Sequence, residues 1–213
     1  MPVPCLPLRQ HTLTPFHRSH ATMPGRRAKL LSERQLMAAL RRVAHGRYPD
    51  RCRLMLLLST KAGLRAGEIA RLTWPMLLDA RGHLAPVIEL PDAVAKKGGG
   101  RTIPMHPEIR RVLLRLGREG ERTGPVLRSE RGGPLRPGSV VNWFAALFRE
   151  LGLEGCSSHS GRRTFITNAA RRVHRVGGSL RDVQELAGHR SIQVTQGYID
   201  GDTAVKRRLV RLL

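Results

Sequence analysis

The chain has 213 residues, 40% of them hydrophobic, enough for one full domain with extra segments or two small ones, and at 4% aromatic content Leu, Val, Ala and Ile must fill the core. Lys and Arg number 38 against 16 acids, a net charge of +22 and a pI near 11.7, so a polyanion is the expected partner: nucleic acid first, an anionic membrane or a merely solubilising surface as the bland alternatives. The composition also excludes some classes, because 3 cysteines without Cys-x-x-Cys spacing (Cys5, Cys52, Cys156) support neither a disulfide framework nor a zinc site, and no apolar run approaches the roughly 20 residues of a membrane helix.

Residues 1–30 hold Pro2, Pro4, Pro7, Pro15 and Pro24, five Lys or Arg and no acid. That profile predicts a disordered, DNA-attracting arm; it lacks the apolar stretch of a secretory signal, and a start at Met23 is a second reading. Order is expected from Ser32, where Ser32-Glu-Arg-Gln35 has capping-box form and Leu36, Ala39, Leu40 and Val43 recur at helical spacing. Further helices are predicted from about Asp50 to Ala62, ended by Gly63, and from about Gly67 to Leu72, before Trp74-Pro75.

The pattern then changes. Pro86-Val-Ile-Glu-Leu90 and Arg101-Thr-Ile-Pro-Met105 read as short strands flanking a Lys96-Lys-Gly-Gly-Gly100 turn. Helices follow at about 107–119, 138–151, 160–175, 180–187, 192–197 and 203–212, with a second capping box at Ser179-Leu-Arg-Asp182. The fold class expected is α+β, mainly α-helical with a small antiparallel hairpin, and no linker divides residues 31–213.

Several residues are candidates for chemistry, each with a plainer alternative. His159 and Arg162, three apart near a helix N-terminus, would share a face on which an anion can sit, although a surface helix with a solvated Arg gives the same pattern. Arg65, followed by Glu68, is either an oriented phosphate-binding guanidinium or an ordinary surface ion pair. His189 and Tyr198 would lie on opposite faces of a straight helix, so they meet only if Gly188 ends one helix, Ser191 caps another and Gly197 permits a bend. Tyr198 could equally be a packed tyrosine with a bonded hydroxyl. Lys96 and Lys97 at the hairpin tip are either mobile amines reaching into a groove or common surface lysines. Trp143, Phe144 and Phe148 read as core.

The ordered set Arg65, hairpin lysine, His159-Ser-Gly-Arg162, His189 and Tyr198, with the words Ala-Gly-Leu-Arg, His-Ser-Gly-Arg-Arg-Thr-Phe and Leu-Ala-Gly-His, resembles the catalytic domain of the tyrosine recombinase (phage integrase) family over roughly residues 30–213. The resemblance implies a nucleophilic Tyr198 that forms a 3′-phosphotyrosyl intermediate on double-stranded DNA and frees a 5′-hydroxyl. Arg65 and Arg162 would stabilise the pentacoordinate phosphorus, His159 would assist proton removal from the tyrosine, and His189 would hydrogen-bond a non-bridging oxygen. Lys96, favoured over Lys97 by counting back from Arg101-Thr-Ile-Pro104, would protonate the leaving oxygen. Neither cofactor nor metal is implied, since the covalent intermediate retains the bond energy.

The resemblance further implies a site-specific recombinase or integrase in the cytoplasm, working as a homo-oligomer on DNA or with another recombinase subunit, in mobile-element movement or chromosome maintenance. The family's usual N-terminal clamp domain has no counterpart in residues 1–30, and Ser160-Gly161 stands where many members have an acidic residue and leucine. Two other functions compete: a type IB topoisomerase-like relaxase, and a non-catalytic DNA-binding regulator or truncated relic.

Overall fold

A computed structural model describes residues 28–95, 99–118 and 122–199, together with 207, 210 and 211. Residues 1–27 of the expected arm, the lysines at 96 and 97, and most of the expected helix at 203–212 lie outside the described residues; residues 28–30, expected to belong to the arm, are instead tied to the domain, with the Lys29 N–H donating to the Gly155 carbonyl at 3.0 Å.

The chain is mainly helical. Helix α1 (Glu33–Ala44) begins at the capping box read from the sequence: the Ser32 side chain accepts from the Gln35 backbone N–H and the Gln35 side chain accepts from the Ser32 N–H. Its Ala39, Leu40 and Val43 face inward. Helix α2 (Pro49–Lys61) starts with proline, whose missing N–H costs nothing in a first turn, and is buried almost continuously from Leu54 to Thr60. A helix buried all round must be central, and α2 packs against α1, α4 (Pro107–Leu116) and α6 (Ser160–Arg172). Gly63, at φ +66°, turns the chain out of α2 and into α3 (Ala66–Ala70).

After a 3₁₀ turn at Trp74–Met76, strands β1 (Val87–Leu90) and β2 (Arg101–Pro104) pair antiparallel in the register Val87 with Pro104 and Leu90 with Arg101. They form the one named sheet among the described residues. Alternation along the strands buries Ile88, Leu90 and Ile103. Helix α5 (Pro137–Glu150) supplies the aromatic part of the core: Trp143 meets Phe144 edge to face at 4.9 Å, and Phe144 lies 5.7 Å from Phe148. The core reading of these three aromatics therefore holds.

Residues 165–199 build a second, smaller apolar cluster. Ile166 and Ala170 of α6 pack on Val183 and Ala187 of α7 (Leu180–Ala187), with Phe165, Tyr198 and Ile199 at its margin. Helix α6 ends at Arg172, earlier than its expected length, and continues as a 3₁₀ turn to Val176 before Gly177 at φ +73°. A short helix, α8 (Ile192–Gln196), carries the chain to Tyr198. None of the described helices is long and apolar enough to cross a membrane.

Candidate active site

The site lies at the seam between the large core and the small one, and α6 crosses that seam. Gly161 makes the crossing close: a Cβ there would collide with the Ser59 side chain of α2 and come within 3.1 Å of the Thr60 methyl carbon. The next residue, Arg162, is therefore held deep, 4% exposed, at the junction. Its Nη1 donates to the Gly63 carbonyl at 2.5 Å and its Nη2 to the Ala187 carbonyl at 2.6 Å, tying the end of α2 to the end of α7. Nη2 also lies 3.1 Å from His189 Nε2. Burial, then the charges of Arg65 and Arg101, push the Arg162 pKa down. Guanidinium basicity and two carbonyl acceptors keep it a cation.

His189 follows the α7 C-terminus, where Gly188 adopts φ +62°. Because Arg162 can only donate, Nε2 must accept, and the ring proton sits on Nδ1, 2.9 Å from Thr195 Oγ1. Burial, then Arg162, Arg65 and Arg101, lower its pKa to about 4, so the imidazole is neutral at pH 7. The Gln184 side chain fixes the same loop by donating to the His189 carbonyl at 2.9 Å.

His189 and Tyr198 do meet. Their rings stack with centroids 5.6 Å apart and 23° between planes. Gly188 ends α7 as expected, but two details differ. Ser191 occupies the N-cap position without a cap hydrogen bond, its hydroxyl going instead to the Gln193 side chain. Gly197 has φ −59°, a conformation open to any residue, so the turn toward His189 comes from the end of α8 and not from glycine's freedom.

Arg65 precedes α3 and is paired as its spacing indicated: Nη1 reaches Glu68 Oε1 at 2.8 Å, and its backbone N–H reaches Oε2 at 2.9 Å. The surface-pair alternative fails on burial, because Glu68 is 1% exposed. A second cation, Arg101 of β2, also holds Glu68, with Nη1 and Nη2 at 3.1 and 2.9 Å from its two oxygens. Burial acts to raise the Glu68 pKa, but these arginines outweigh it and hold the carboxyl at about 2.

His159 sits at the N-cap of α6, exposed, one residue before the helix proper. It lines a cleft of about 510 Å³ together with Arg65, Arg162, His189 and Tyr198. The structure thus gathers five of the six residues singled out in the sequence; Lys96 lies outside the described residues. Ala28, Arg163, Gln193 and Val194 complete much of the wall, and Arg163 Nη1 fixes Ala28 by donating to its carbonyl at 2.6 Å. Sequence reasoning missed Arg101 and Thr195. A basic residue opening a strand gives a faint signal for the first, and an isolated threonine gives none for the second. Among the described residues no group of His, Cys, Asp and Glu could hold a metal ion.

The phage integrase family model matches residues 29–204. The tyrosine recombinase XerC of Mesorhizobium japonicum is 33% identical over 156 residues, 70% of this chain and 46% of that protein. XerC of a Methylobacterium species is 34% identical over 158 residues, covering 70% and 45%. The chain spans about half the length of these curated relatives. Among solved structures, the Tn1549 transposon integrase with a circular intermediate DNA superposes with a TM-score of 0.66 at 19% identity, over 87% of this chain and 67% of that one. XerA recombinase gives 0.63 at 23%, over 93% and 66%. These two likenesses concern the fold, and they agree with the mainly helical domain and its two-stranded sheet.

Proposed function

Because the chain belongs to the phage integrase family, we propose that it is a site-specific DNA recombinase that cuts and rejoins duplex DNA through a phosphotyrosyl intermediate. The observation that carries this reading is the convergence of Tyr198, Arg65, Arg162, His159 and His189 on one cleft. A net charge of +22 supplies the affinity for the phosphate backbone.

Chemically, the Tyr198 oxygen attacks phosphorus, the bond to the 5′-oxygen breaks, and a 3′-phosphotyrosyl ester remains. His159 at the open rim assists loss of the phenol proton, and Lys96 returns a proton to the departing 5′-oxygen. Arg65 and Arg162 face the negative charge that accumulates on the phosphoryl oxygens; their geometry is fixed beforehand by Glu68 and by the Gly63 and Ala187 carbonyls, so little reorganisation is needed. His189, proton on Nδ1, becomes a donor at Nε2 once a bound phosphate favours its protonated form, and it then reaches a non-bridging oxygen. Reversal, with a 5′-hydroxyl from a partner strand, completes transfer without ATP.

Residues 31–213 act in this reading as the catalytic unit, on DNA as an oligomer of like protomers or with a second recombinase, in the cytoplasm. The Tn1549 integrase in complex with a circular intermediate DNA and the lambda integrase dimer bound to a core site support DNA and an oligomer as partners in this reading. The deciding experiment is a nicked duplex that lets the 5′ product diffuse away. A covalent protein–DNA band that depends on Tyr198 is expected; its absence with a suitable target rejects the proposal. Plasmid relaxation without strand exchange would instead favour a topoisomerase-like role.

A further inference from the structure

Arg101 opens β2 at the foot of the hairpin, and its side chain is 4% exposed. Besides its two bonds to Glu68, it donates through Nε to the Leu186 carbonyl at 2.9 Å. The side chain passes over Gly188, where a Cβ would stand 2.9 Å from its Cδ and 3.0 Å from Nη1. One guanidinium thereby connects three segments: the β2 strand that follows Lys96 in the hairpin, the turn that carries Arg65, and the α7 end that carries His189.

The charges explain why a second cation is required on Glu68. The carboxylate is buried and ionised, and the Arg65 guanidinium touches one of its oxygens. If Arg65 were its sole partner, the pair would be neutral and Arg65 would be held back from any anion in the cleft. With Arg101 closing bidentately on the same carboxylate, Arg65 and Arg101 against Glu68 leave a net charge of +1, so one positive charge stays available to an anion in the cleft.

We infer that Arg101 is a positioning residue for strand cleavage: it neutralises Glu68 so that Arg65 keeps its charge for the phosphate, and it fixes the His189 loop relative to Arg65 through Leu186. The inference rests on the recombinase reading above. Lysine cannot replace it fully, since a single ammonium cannot span both carboxylate oxygens and the Leu186 carbonyl.

The test compares wild type with Arg101→Met, Arg101→Lys and the double variant Arg101→Met/Glu68→Gln. Three quantities are measured: single-turnover formation of the Tyr198 adduct on a nicked duplex, equilibrium affinity for that duplex at fixed salt, and the Tm shift produced by inorganic phosphate. Arg101→Met is expected to lower the adduct rate on the order of 10–100-fold, as loss of a group that orients others does, while affinity stays within about threefold. Removing the Glu68 charge as well should recover about tenfold of that loss, with Arg101→Lys in between. A wild-type rate in Arg101→Met overturns the inference. So does a loss that tracks lowered Tm and is not relieved in the double variant, which is the signature of a purely structural role. Should wild type form no adduct at all, the recombinase reading fails, and the phosphate arm still decides: a phosphate-induced shift lost in Arg101→Met and restored in the double variant supports the inference, and an equal shift in all proteins overturns it.

Discussion

Arg162 Nη2 stands 3.1 Å from His189 Nε2, and this contact sets the tautomer of the histidine. A guanidinium offers no lone pair, so the imidazole accepts on Nε2 and places its proton against Thr195, a residue with no exposed surface. Thr195→Val should unfix that ring. We expect the rate of adduct formation to fall about tenfold, as for other lost partners that orient a histidine, with stability reduced by about 1 kcal/mol. Single-turnover cleavage and urea unfolding check the two effects; an unchanged rate would separate Thr195 from the chemistry.

Acid should weaken the fold in two steps. His189 has a folded pKa near 4, below its ordinary value of 6.5, so the unfolded chain binds the extra proton and stability declines as pH falls from about 6.5 toward 4. Glu68, held at about 2 against 4.5, contributes stability that is full above 4.5 and is lost as pH falls from there toward 2. Tm measured against pH should show the upper slope diminished in His189→Asn and the lower one in Glu68→Gln. Identical profiles in all three proteins would contradict the assignment.

Arg65 and Arg162 should separate in their effects. Arg65→Ala and Arg162→Ala are each expected to cost on the order of 10²–10³ in cleavage rate, as other removed transition-state donors do. Arg162→Ala should also lower Tm by more, because it leaves the Gly63 and Ala187 carbonyls without their donor. Equal melting temperatures would show that water replaces Arg162 without penalty.

Gly161→Ala should press α6 away from α2. The added methyl meets Ser59, and overpacking of this kind costs about 1–3 kcal/mol. Adding Ser59→Ala ought to relieve part of the cost, which denaturant midpoints of the single and double variants would reveal. Additive losses would argue against a direct clash.

Five of the six candidate residues share one cleft, and they could be singled out because their residue types come in a fixed order within words such as Ala-Gly-Leu-Arg and Leu-Ala-Gly-His; Lys96 lies outside the described residues. Capping boxes at Ser32 and Ser179, Gly63 and Gly188 at helix ends, and the period-2 strands are local signals, and each appears where the sequence placed it. Arg101 was passed over because its meaning lies in a partner 33 positions away and another 85 away. Gly197 misled for the opposite reason: a glycine advertises conformational freedom whether or not the backbone uses it.

Local patterning and composition, then, determined the helices, the hairpin, the excess of positive charge and the kinds of side chain available for attack on a phosphate. Only the tertiary structure decided that Glu68 is buried between two guanidiniums, that His189 is neutral with its proton toward Thr195, and that Tyr198 lies on that ring. Pairing, burial and pKa depend on distances between groups far apart along the chain. Those distances are set by how closely α6 can approach α2 and α7, which no single segment encodes.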